Sequence, residues 1–397
     1  MAVRPLIRMP MSYASPSGSM LAFLYAIENL GRAMLATTLA LFGLEVMGST
    51  QDMSLALFGS SVISLIFMLC SGILIRLLSR KIVFTLGCVF TLIAMSCYLL
   101  ETPLSFFIGS AFRACAGGFT LICISLYTLD FIPKDKMPKA ESRKILFSGL
   151  VWVCAPGIGT WMWVEIDHNL PFIITAIIAL MNLTIFWWLR IREVDQIKKP
   201  NAENLNIFKN LINYISNAHM RVAYLIAVCR SAAWVVFFTY GPIYILETGI
   251  SKEWIGFIMG FITSFLVLSP QFLKFAQKIG IRLTIIYAFI TGGVLLSIIG
   301  LIPKPTIWAF GLFFLASLCM DMLDVIGNLP FLRTVRQNIR VEMTSVFSTW
   351  REFSFTLTPG IGSILLIFLP VQGVFLALGT AFIITGFITT KMPVRIG

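Results

Sequence analysis

Charged side chains and histidines are scarce in this 397-residue chain. Only 12% of the residues are charged and only two are histidines, whereas 58% are hydrophobic. Soluble globular domains carry about twice that charged fraction, so a single core in water could not bury so much apolar surface. The composition excludes a soluble enzyme, a secreted domain and a disordered chain. It predicts that lipid is the solvent for most of the protein.

Motifs that would carry catalysis or hold a metal are also missing. The eight cysteines all lie within apolar runs, and none belongs to a CxxC pair. With only His168 and His219 beside them, no metal-ligand set can be assembled by spacing, nor can a Ser/His/Asp triad. No GxxxxGK[ST] loop is present for ATP. We therefore expect no enzyme activity, no metal and no cofactor.

Long apolar runs separated by short polar breaks make up most of the chain. Each run reaches or exceeds the roughly 20 residues that a helix needs to cross a bilayer. The pattern predicts an all-α, polytopic membrane protein with twelve transmembrane helices. The approximate limits are 19–46, 53–76, 81–100, 103–130, 141–165, 170–190, 218–246, 253–276, 283–302, 305–332, 342–369 and 371–391.

Basic residues predict the orientation of these spans. Nearly all of them fall at the two termini or in every second connection, while the other side of the membrane has only Lys252 and Lys304. This alternation is the positive-inside pattern, with both termini cytoplasmic. The net charge of +12 is thus explained by topology, and no nucleic-acid partner is expected. A bacterial-type inner membrane fits, and so does an organellar or plasma membrane. Residues 19–46 are too long for the core of a cleaved signal peptide.

The longest predicted cytoplasmic connection divides the chain into two halves of six spans. We expect an N-terminal half at 1–195, a linker at 196–217 and a C-terminal half at 218–397. The linker is polar at first, and then its apolar residues fall at helical spacing, which predicts a short amphipathic helix on the inner membrane face. Those residues are Leu205, Phe208, Leu211, Ile212 and Ile215.

Matching residues indicate that the two halves are parallel repeats. At an offset of 202, Glu28 falls on Arg230, Glu45 on Glu247, Arg76 on Lys278 and Arg80 on Arg282. At an offset of 203, the APGIG stretch at 155–159 falls on TPGIG at 358–362. We expect the prolines and glycines of both stretches to allow helix bends and close helix approach. These residues are Pro156, Gly157, Gly159, Pro359, Gly360 and Gly362.

Three local motifs resemble those of the major facilitator superfamily of secondary transporters. The stretch from Gly72 to Lys81 is similar to the family's GxxxDRxGRR signature, with Arg76 in the acidic position. Arg113 begins an RxxxG motif in the fourth span, and 155–159 resembles the GPxxG element of the fifth. Val151 occupies the place of the glycine that extends this element in exporters. The resemblance implies a cytoplasmic gate, for which the candidates here are Arg76, Arg80 and Lys81. Asp130, near the cytoplasmic end of the fourth span, forms either a salt bridge with the basic loop that follows or a gate contact with a basic residue of the other half.

Ionisable residues deep in the predicted spans are the candidates for substrate or proton binding. Burying a charge in hydrocarbon costs at least about 2.5–3.5 kcal/mol, so such residues persist where they are paired, hydrated or functional. As many of them are acidic as basic when Glu352 is included. The cavity candidates are Glu28, Arg32, Arg113, Arg230, Asp321, Asp324 and Arg351.

The spacing leaves the pairing of these charges open. Glu28 and Arg32 are four residues apart on one helix face and form either a structural ion pair or part of a site. Asp321 and Asp324 share a face, where they either hold a proton between them or each answer an arginine such as Arg230 or Arg351. Arg113 has no acidic neighbour on its own helix.

The resemblance and the buried charges together predict a secondary active transporter of a small polar or anionic solute, with protons as the coupling ion. The expected partners are the lipid bilayer and a small-molecule substrate bound between the halves. Two alternatives stay open. One is an exporter of lipophilic compounds or drugs, which the abundance of Met and Phe would suit. The other is a membrane assembly or signalling protein that keeps the fold without transport. Substrate, direction of transport and oligomeric state are not predicted.

Overall fold

The computed structural model describes residues 18–132, 137–188, 207–335, 343 and 346–392. Within these ranges the chain forms helices and no strand. Helices satisfy their own backbone hydrogen bonds, which lipid cannot do for them. In chain order they are α1 Gly18–Met47, α2 Thr50–Tyr98, α3 Pro103–Phe131, α4 Met137–Trp161, α5 Leu170–Trp188, α6 Ile207–Ser216, α7 Ala218–Glu247, α8 Lys252–Ile262, α9 Ser269–Ile279, α10 Ile281–Leu301, α11 Ala309–Ile326, α12 Leu329–Thr334, α13 Trp350–Phe368 and α14 Val371–Thr389.

Ten segments of these helices are long and apolar enough to cross a membrane, and a bent pair makes an eleventh. The bent pair is the predicted eighth span, which breaks by 43° between Lys252–Phe265 and Pro270–Ile279. Pro270 explains the break because proline has no N–H to donate. The remaining predicted span, 342–369, corresponds to the 19-residue helix α13. Its first turn carries Arg351 and Glu352, and the count of twelve spans stays a prediction.

Helix α2 supplies two spans although its backbone is helical over 49 residues. The ring of Phe107 lies against Gly59, and the hydroxyl of Tyr98 lies 3.2 Å from that of Ser110, one turn further along α3. A straight helix would hold Gly59 and Tyr98 about 60 Å apart. The chain therefore reverses between the two apolar segments, Thr50–Met68 and Arg80–Tyr98, as the sequence predicts.

The helices pack into an N-terminal group, α1 to α5, and a C-terminal group, α7 to α14. The main contacts between the groups are those of α4 with α8, the first segment of α2 with α13, and α1 with α7. Helix α6 lies between the groups in sequence and is amphipathic, as expected. Tyr214 is buried on it, whereas Leu211, Ile212 and Ile215 are exposed. Leu205 and the side chain of Phe208 lie outside the described residues.

Glycines let the two groups approach at backbone distance. A Cβ atom on Gly260 of α8 would lie 2.1 Å from the Val153 carbonyl oxygen of α4, and one on Gly256 would lie 2.3 Å from that of Pro156. Gly157 lies directly against the ring of Phe257, with which a Cβ atom would also collide. Small residues at helix crossings allow such close packing in membranes. The surface between α4 and α8 is therefore built around these three glycines.

The repeated PGIG stretches occupy matching positions. Gly157 packs across the interface against α8, and Gly360 packs across it against Phe58 of α2. Gly159 contacts Met34 of α1 within its own group, and Gly362 contacts Tyr240 of α7 within the other. Both helices continue through Pro156 and Pro359, so bending at these prolines stays a prediction.

Pro156 also creates a hydrogen-bonding need that the other group meets. A proline inside a helix leaves the carbonyl four residues earlier without its usual donor, and here that carbonyl belongs to Trp152. The hydroxyl of Thr263, on the 3₁₀ turn after α8, lies 3.3 Å from the Trp152 oxygen and 2.8 Å from that of Gly260. The single hydroxyl proton is thus shared between the nearby Gly260 carbonyl and, across the interface, the Trp152 carbonyl.

Substituting Gly260 with alanine should weaken the protein more than the same change at Gly311. The new methyl group would collide with the Val153 carbonyl, and overpacking of this kind costs roughly 1–3 kcal/mol. Gly311 has open space around its Cα atom, so Gly311→Ala should be neutral or slightly stabilising. Melting of the purified variants in detergent measures the difference. Equal melting temperatures would contradict the close approach of α4 and α8.

Candidate functional site

A cavity with charged and polar residues on its lining lies among α1, the second segment of α2, α3 and α5. It lies within the N-terminal group, whereas the sequence predicts substrate binding between the halves. Its volume is about 60 Å³, which exceeds the ~10–15 Å³ that one water molecule needs. Three of the seven predicted cavity residues line it. The lining residues are Glu28, Gly31, Arg32, Leu35, Cys88, Thr91, Met95, Arg113, Gly117, Thr120, Thr175, Ile178, Ala179 and Asn182.

Glu28 and Arg32 form an ion pair on one side of this cavity. One turn of α1 separates them, and the nearest guanidinium and carboxylate atoms lie 3.7 Å apart. Glu28 also accepts a hydrogen bond from Thr120 of α3 at 3.2 Å. The side chain of Glu28 is 8% exposed and that of Arg32 is 24% exposed. The pair neutralises itself and leaves the cavity's remaining charge to Arg113.

Arg113 enters the cavity from α3 without a carboxylate partner. Among the described residues no Asp or Glu lies within ion-pair distance of it, and its buried Nε atom has no hydrogen-bond acceptor. Its guanidinium lies near the Tyr98 hydroxyl. Arg113 is half-buried, and a cation without a counter-ion is costly in an apolar surrounding. This arginine is therefore suited to bind an anionic group.

Arg230 has a different environment, because it is paired inside the C-terminal group. Its Nη1 atom lies 3.4 Å from the Asp324 carboxylate and 3.1 Å from the Asp324 carbonyl oxygen, and Nη2 lies 3.2 Å from Asn328. The indole of Trp234 donates to the same carboxylate at 2.6 Å. The guanidinium lies over the Trp350 ring, 4.8 Å from its centroid. The sequence leaves open whether Asp324 shares a proton with Asp321 or pairs with an arginine. In the structure it pairs with Arg230.

Asp321 is fully buried one turn before Asp324 on α11. Its side chain is 0% exposed, and neither carboxyl oxygen has a hydrogen-bond partner among the described residues. A charged carboxylate without a partner is costly in such a place, so the neutral, protonated form fits this environment. The structure thus separates the roles of the two aspartates, which the sequence pattern treats alike.

Arg351 and Glu352 lie in the first turn of α13. Arg351 is near enough to Arg32 and Glu28 of α1 for their charges to interact at long range, and Glu352 interacts with Arg32 in the same way. These four charges sum to zero.

The remaining predicted site residues lie at other places. Arg80 and Lys81 are half-buried at the start of the second α2 segment. Arg76 and Asp130 lie in helices, but their side chains are outside the described residues. The cytoplasmic gate thus stays a prediction. At the opposite, predicted external end, Lys252 of α8 forms an ion pair with Glu45 of α1 and lies 5.6 Å from the Trp163 ring centroid.

Sequence reasoning missed the uncharged polar residues of the cavity. Asn182 and Thr175 on α5 are 3% and 4% exposed, and Asn182 Oδ1 and Thr175 Oγ1 have no partner among the described residues. Asn182 is the single carboxamide in a 19-residue apolar helix. A lone carboxamide in such a helix could have marked it as a candidate site residue. In the described part of the chain, no cluster of three or more His, Cys, Asp or Glu could hold a metal ion.

The fold and the cavity define a multi-pass α-helical integral membrane protein with a polar site among its helices. A family model described as Major Facilitator Superfamily matches residues 21–353. The chain therefore belongs to the major facilitator superfamily, as its motifs predict. No curated protein matches the chain by sequence.

Solved structures share the fold at low sequence identity. The nucleoside transporter NupG aligns with a TM-score of 0.73 and 14% identity, over 96% of this chain and 100% of that one. A peptide transporter POT in complex with sulfate aligns with a TM-score of 0.72 and 14% identity, over 96% and 95%. A POT family transporter in complex with 5-aminolevulinic acid has a TM-score of 0.71 and 13% identity, over 94% of each chain.

Removing the cation of the Arg230–Asp324 pair should destabilise the protein. Arg230→Met leaves the Asp324 carboxylate without its counter-ion, and breaking a fully buried pair costs roughly 3–5 kcal/mol. The loss here should be smaller, because the Asp324 side chain is 30% exposed. The double variant Arg230→Met/Asp324→Leu should recover part of the melting temperature. A double variant no more stable than the single one would contradict a structural role for the pair.

Proposed function

We propose that the protein is a secondary active transporter of a small polar or anionic solute, coupled to protons. The observation that carries the proposal is Arg113, a cation that lines a cavity and has no carboxylate partner among the described residues. Arginine binds carboxylate and phosphate groups through two parallel hydrogen bonds. The fold relatives support the class, because they include a nucleoside transporter and peptide transporters.

Asp321 is the proposed proton carrier. It lies in the C-terminal group, away from the solute cavity, in surroundings that favour a neutral carboxyl group. A change of conformation that admits water to α11 would lower the cost of its charge and release the proton. Glu28 and Asp324 are the other predicted carriers, but each already contacts an arginine. Asp321 therefore has the environment that such a role needs.

Alternating access would move the two helix groups relative to each other. The ion pair between Glu45 and Lys252 joins them at one end, which the distribution of basic residues predicts to be external. The charges of Arg32 and Glu28 on one group interact at long range with those of Arg351 and Glu352 on the other. When the groups rock, the Glu45–Lys252 ion pair has to separate, and the charges on α1 and α13 have to change their distances from one another. The termini and the α6 helix would lie on the cytoplasmic side of a bacterial inner membrane.

Loss of Arg113 should abolish solute binding while leaving the fold intact. A ligand that binds only the folded protein raises its melting temperature, so a screen of small anions, amino acids, sugars and lipophilic cations identifies the solute class. We expect anionic or polar hits that disappear in Arg113→Leu and persist in the control Arg221→Leu, which changes an exposed arginine. Hits confined to lipophilic cations would favour the exporter. No shift with any compound would favour a protein without transport.

Replacing Asp321 should uncouple transport from protons. Asp321→Asn keeps the size of the side chain but removes its proton, so uptake driven by a pH gradient should fall at least tenfold. Exchange of labelled for unlabelled solute across proteoliposomes needs no net proton movement and should continue. Glu165→Gln, which alters an exposed carboxylate, is the control. Gradient-driven uptake at the wild-type rate in Asp321→Asn would overturn the assignment.

A further inference from the structure

Unpaired polar atoms on the lining of the α1–α5 cavity indicate which hydrogen-bonding groups a ligand needs. Three buried atoms on its lining have no partner among the described residues: Arg113 Nε, Thr175 Oγ1 and Asn182 Oδ1. Buried polar groups in proteins are normally hydrogen-bonded, and an unpaired one carries a large desolvation cost. Three unpaired atoms around one small cavity indicate that a ligand completes their bonding.

The chemistry of these atoms is mixed. An arginine Nε can only donate, whereas the carboxamide of Asn182 offers both an acceptor and donors, and the hydroxyl of Thr175 offers one donor and accepting lone pairs. The ligand therefore needs an acceptor for Arg113 and a donor for the α5 side chains. Because Glu28 and Arg32 neutralise each other, a carboxylate on the ligand would supply the anionic partner that Arg113 lacks among the described residues.

The size of the cavity favours a small ligand. Arg113, Thr175 and Asn182 all line a space of about 60 Å³. A small ligand that bonds both Arg113 and Asn182 carries its acidic group and its donor within a few bonds of each other. Small acids that carry a hydroxyl or ammonium group on the neighbouring carbon have this arrangement.

We propose that the α1–α5 cavity selects a small carboxylate with a hydrogen-bond donor on the adjacent carbon, an α-hydroxy or α-amino acid. Arg113 binds the carboxylate, while Asn182 and Thr175 bind the donor and determine specificity. The inference rests on the proposed transport function and assigns its substrate class. A site built to bond a hydroxyl or amino group rejects the analogue that lacks it, because its own polar atoms are left unpaired.

Three ligands of one carbon skeleton test the inference on the full-length protein. Propionate, lactate and alanine carry hydrogen, hydroxyl or ammonium on the second carbon; the first two are anions and alanine is a zwitterion, so lactate against propionate isolates the effect of the donor. We expect lactate or alanine to bind at least tenfold more tightly than propionate, as measured by calorimetry or by ligand-dependent melting. Tighter binding of alanine identifies an amino acid site, and tighter binding of lactate identifies a hydroxy acid site.

Variants on α5 separate recognition from folding. Asn182→Leu and Thr175→Val should reduce the preference over propionate to less than threefold. Thr184→Val is the matched control, because this exposed threonine lies on the same helix outside the cavity lining and should leave the preference unchanged. Melting temperatures of the unliganded variants report any loss of folding, and an Asn182→Asp variant, close to asparagine in size, should weaken binding of all three ligands by charge repulsion.

Several outcomes would overturn the inference. Equal affinity for propionate and its two analogues would show that water, not a ligand donor, satisfies Asn182. The same conclusion would follow if the preference survived Asn182→Leu and Thr175→Val, or if none of the three acids bound. The proposed transport function would still stand in these cases if another anion bound in a manner that Arg113→Leu abolishes.

Discussion

The cost of an unpaired polar group in hydrocarbon is the constraint on which the whole structure depends. It makes each membrane span a helix, since only a helix satisfies its own backbone there. Pro156 interrupts the backbone hydrogen bonds of α4, and there the Thr263 hydroxyl of the other helix group approaches the Trp152 carbonyl. Where Arg230 is buried, Asp324, Asn328 and Trp350 surround it. Against this background two ionisable side chains stand out as functional candidates: Arg113, which has no carboxylate partner among the described residues, and Asp321, whose carboxyl oxygens have no hydrogen-bond partner there.

The two helix groups are held together by close packing and a few polar contacts, which suits a protein whose groups must move. Glycines at Gly256 and Gly260 bring α8 against the backbone of α4, and Gly360 brings α13 against α2. Phenylalanine rings lie against Gly157 and Gly360 at the same crossings. The ion pair of Glu45 and Lys252 closes one end. Among the described residues the interface is therefore held mainly by packing and single hydrogen bonds.

The seven predicted cavity residues fall into three environments. Glu28, Arg32 and Arg113 line one cavity, and Arg351 of the other group interacts with the first two at long range. Arg230 and Asp324 bind each other, and Asp321 is buried without a partner among the described residues. Sequence reasoning found these residues because charge is rare in apolar spans. It could not assign each residue to its environment, because side chains from different helices come together only after the helices pack. It overlooked Asn182 and Thr175, since uncharged polar residues also occur in spans without functional roles.

The sequence by itself determined that the protein is helical, lies in a membrane and belongs to its family. Those properties follow from local composition and from motifs such as Arg113–Gly117 and the PGIG stretches, which need no knowledge of packing. The tertiary structure alone decided that α2 reverses within continuous helical backbone, that Arg230 is paired and that Arg113 meets no carboxylate in the described part of the chain. Each of these depends on distances between segments far apart in the chain. Spacing along one helix constrains neighbours three or four residues away, and contacts across helices are set by packing and charge together.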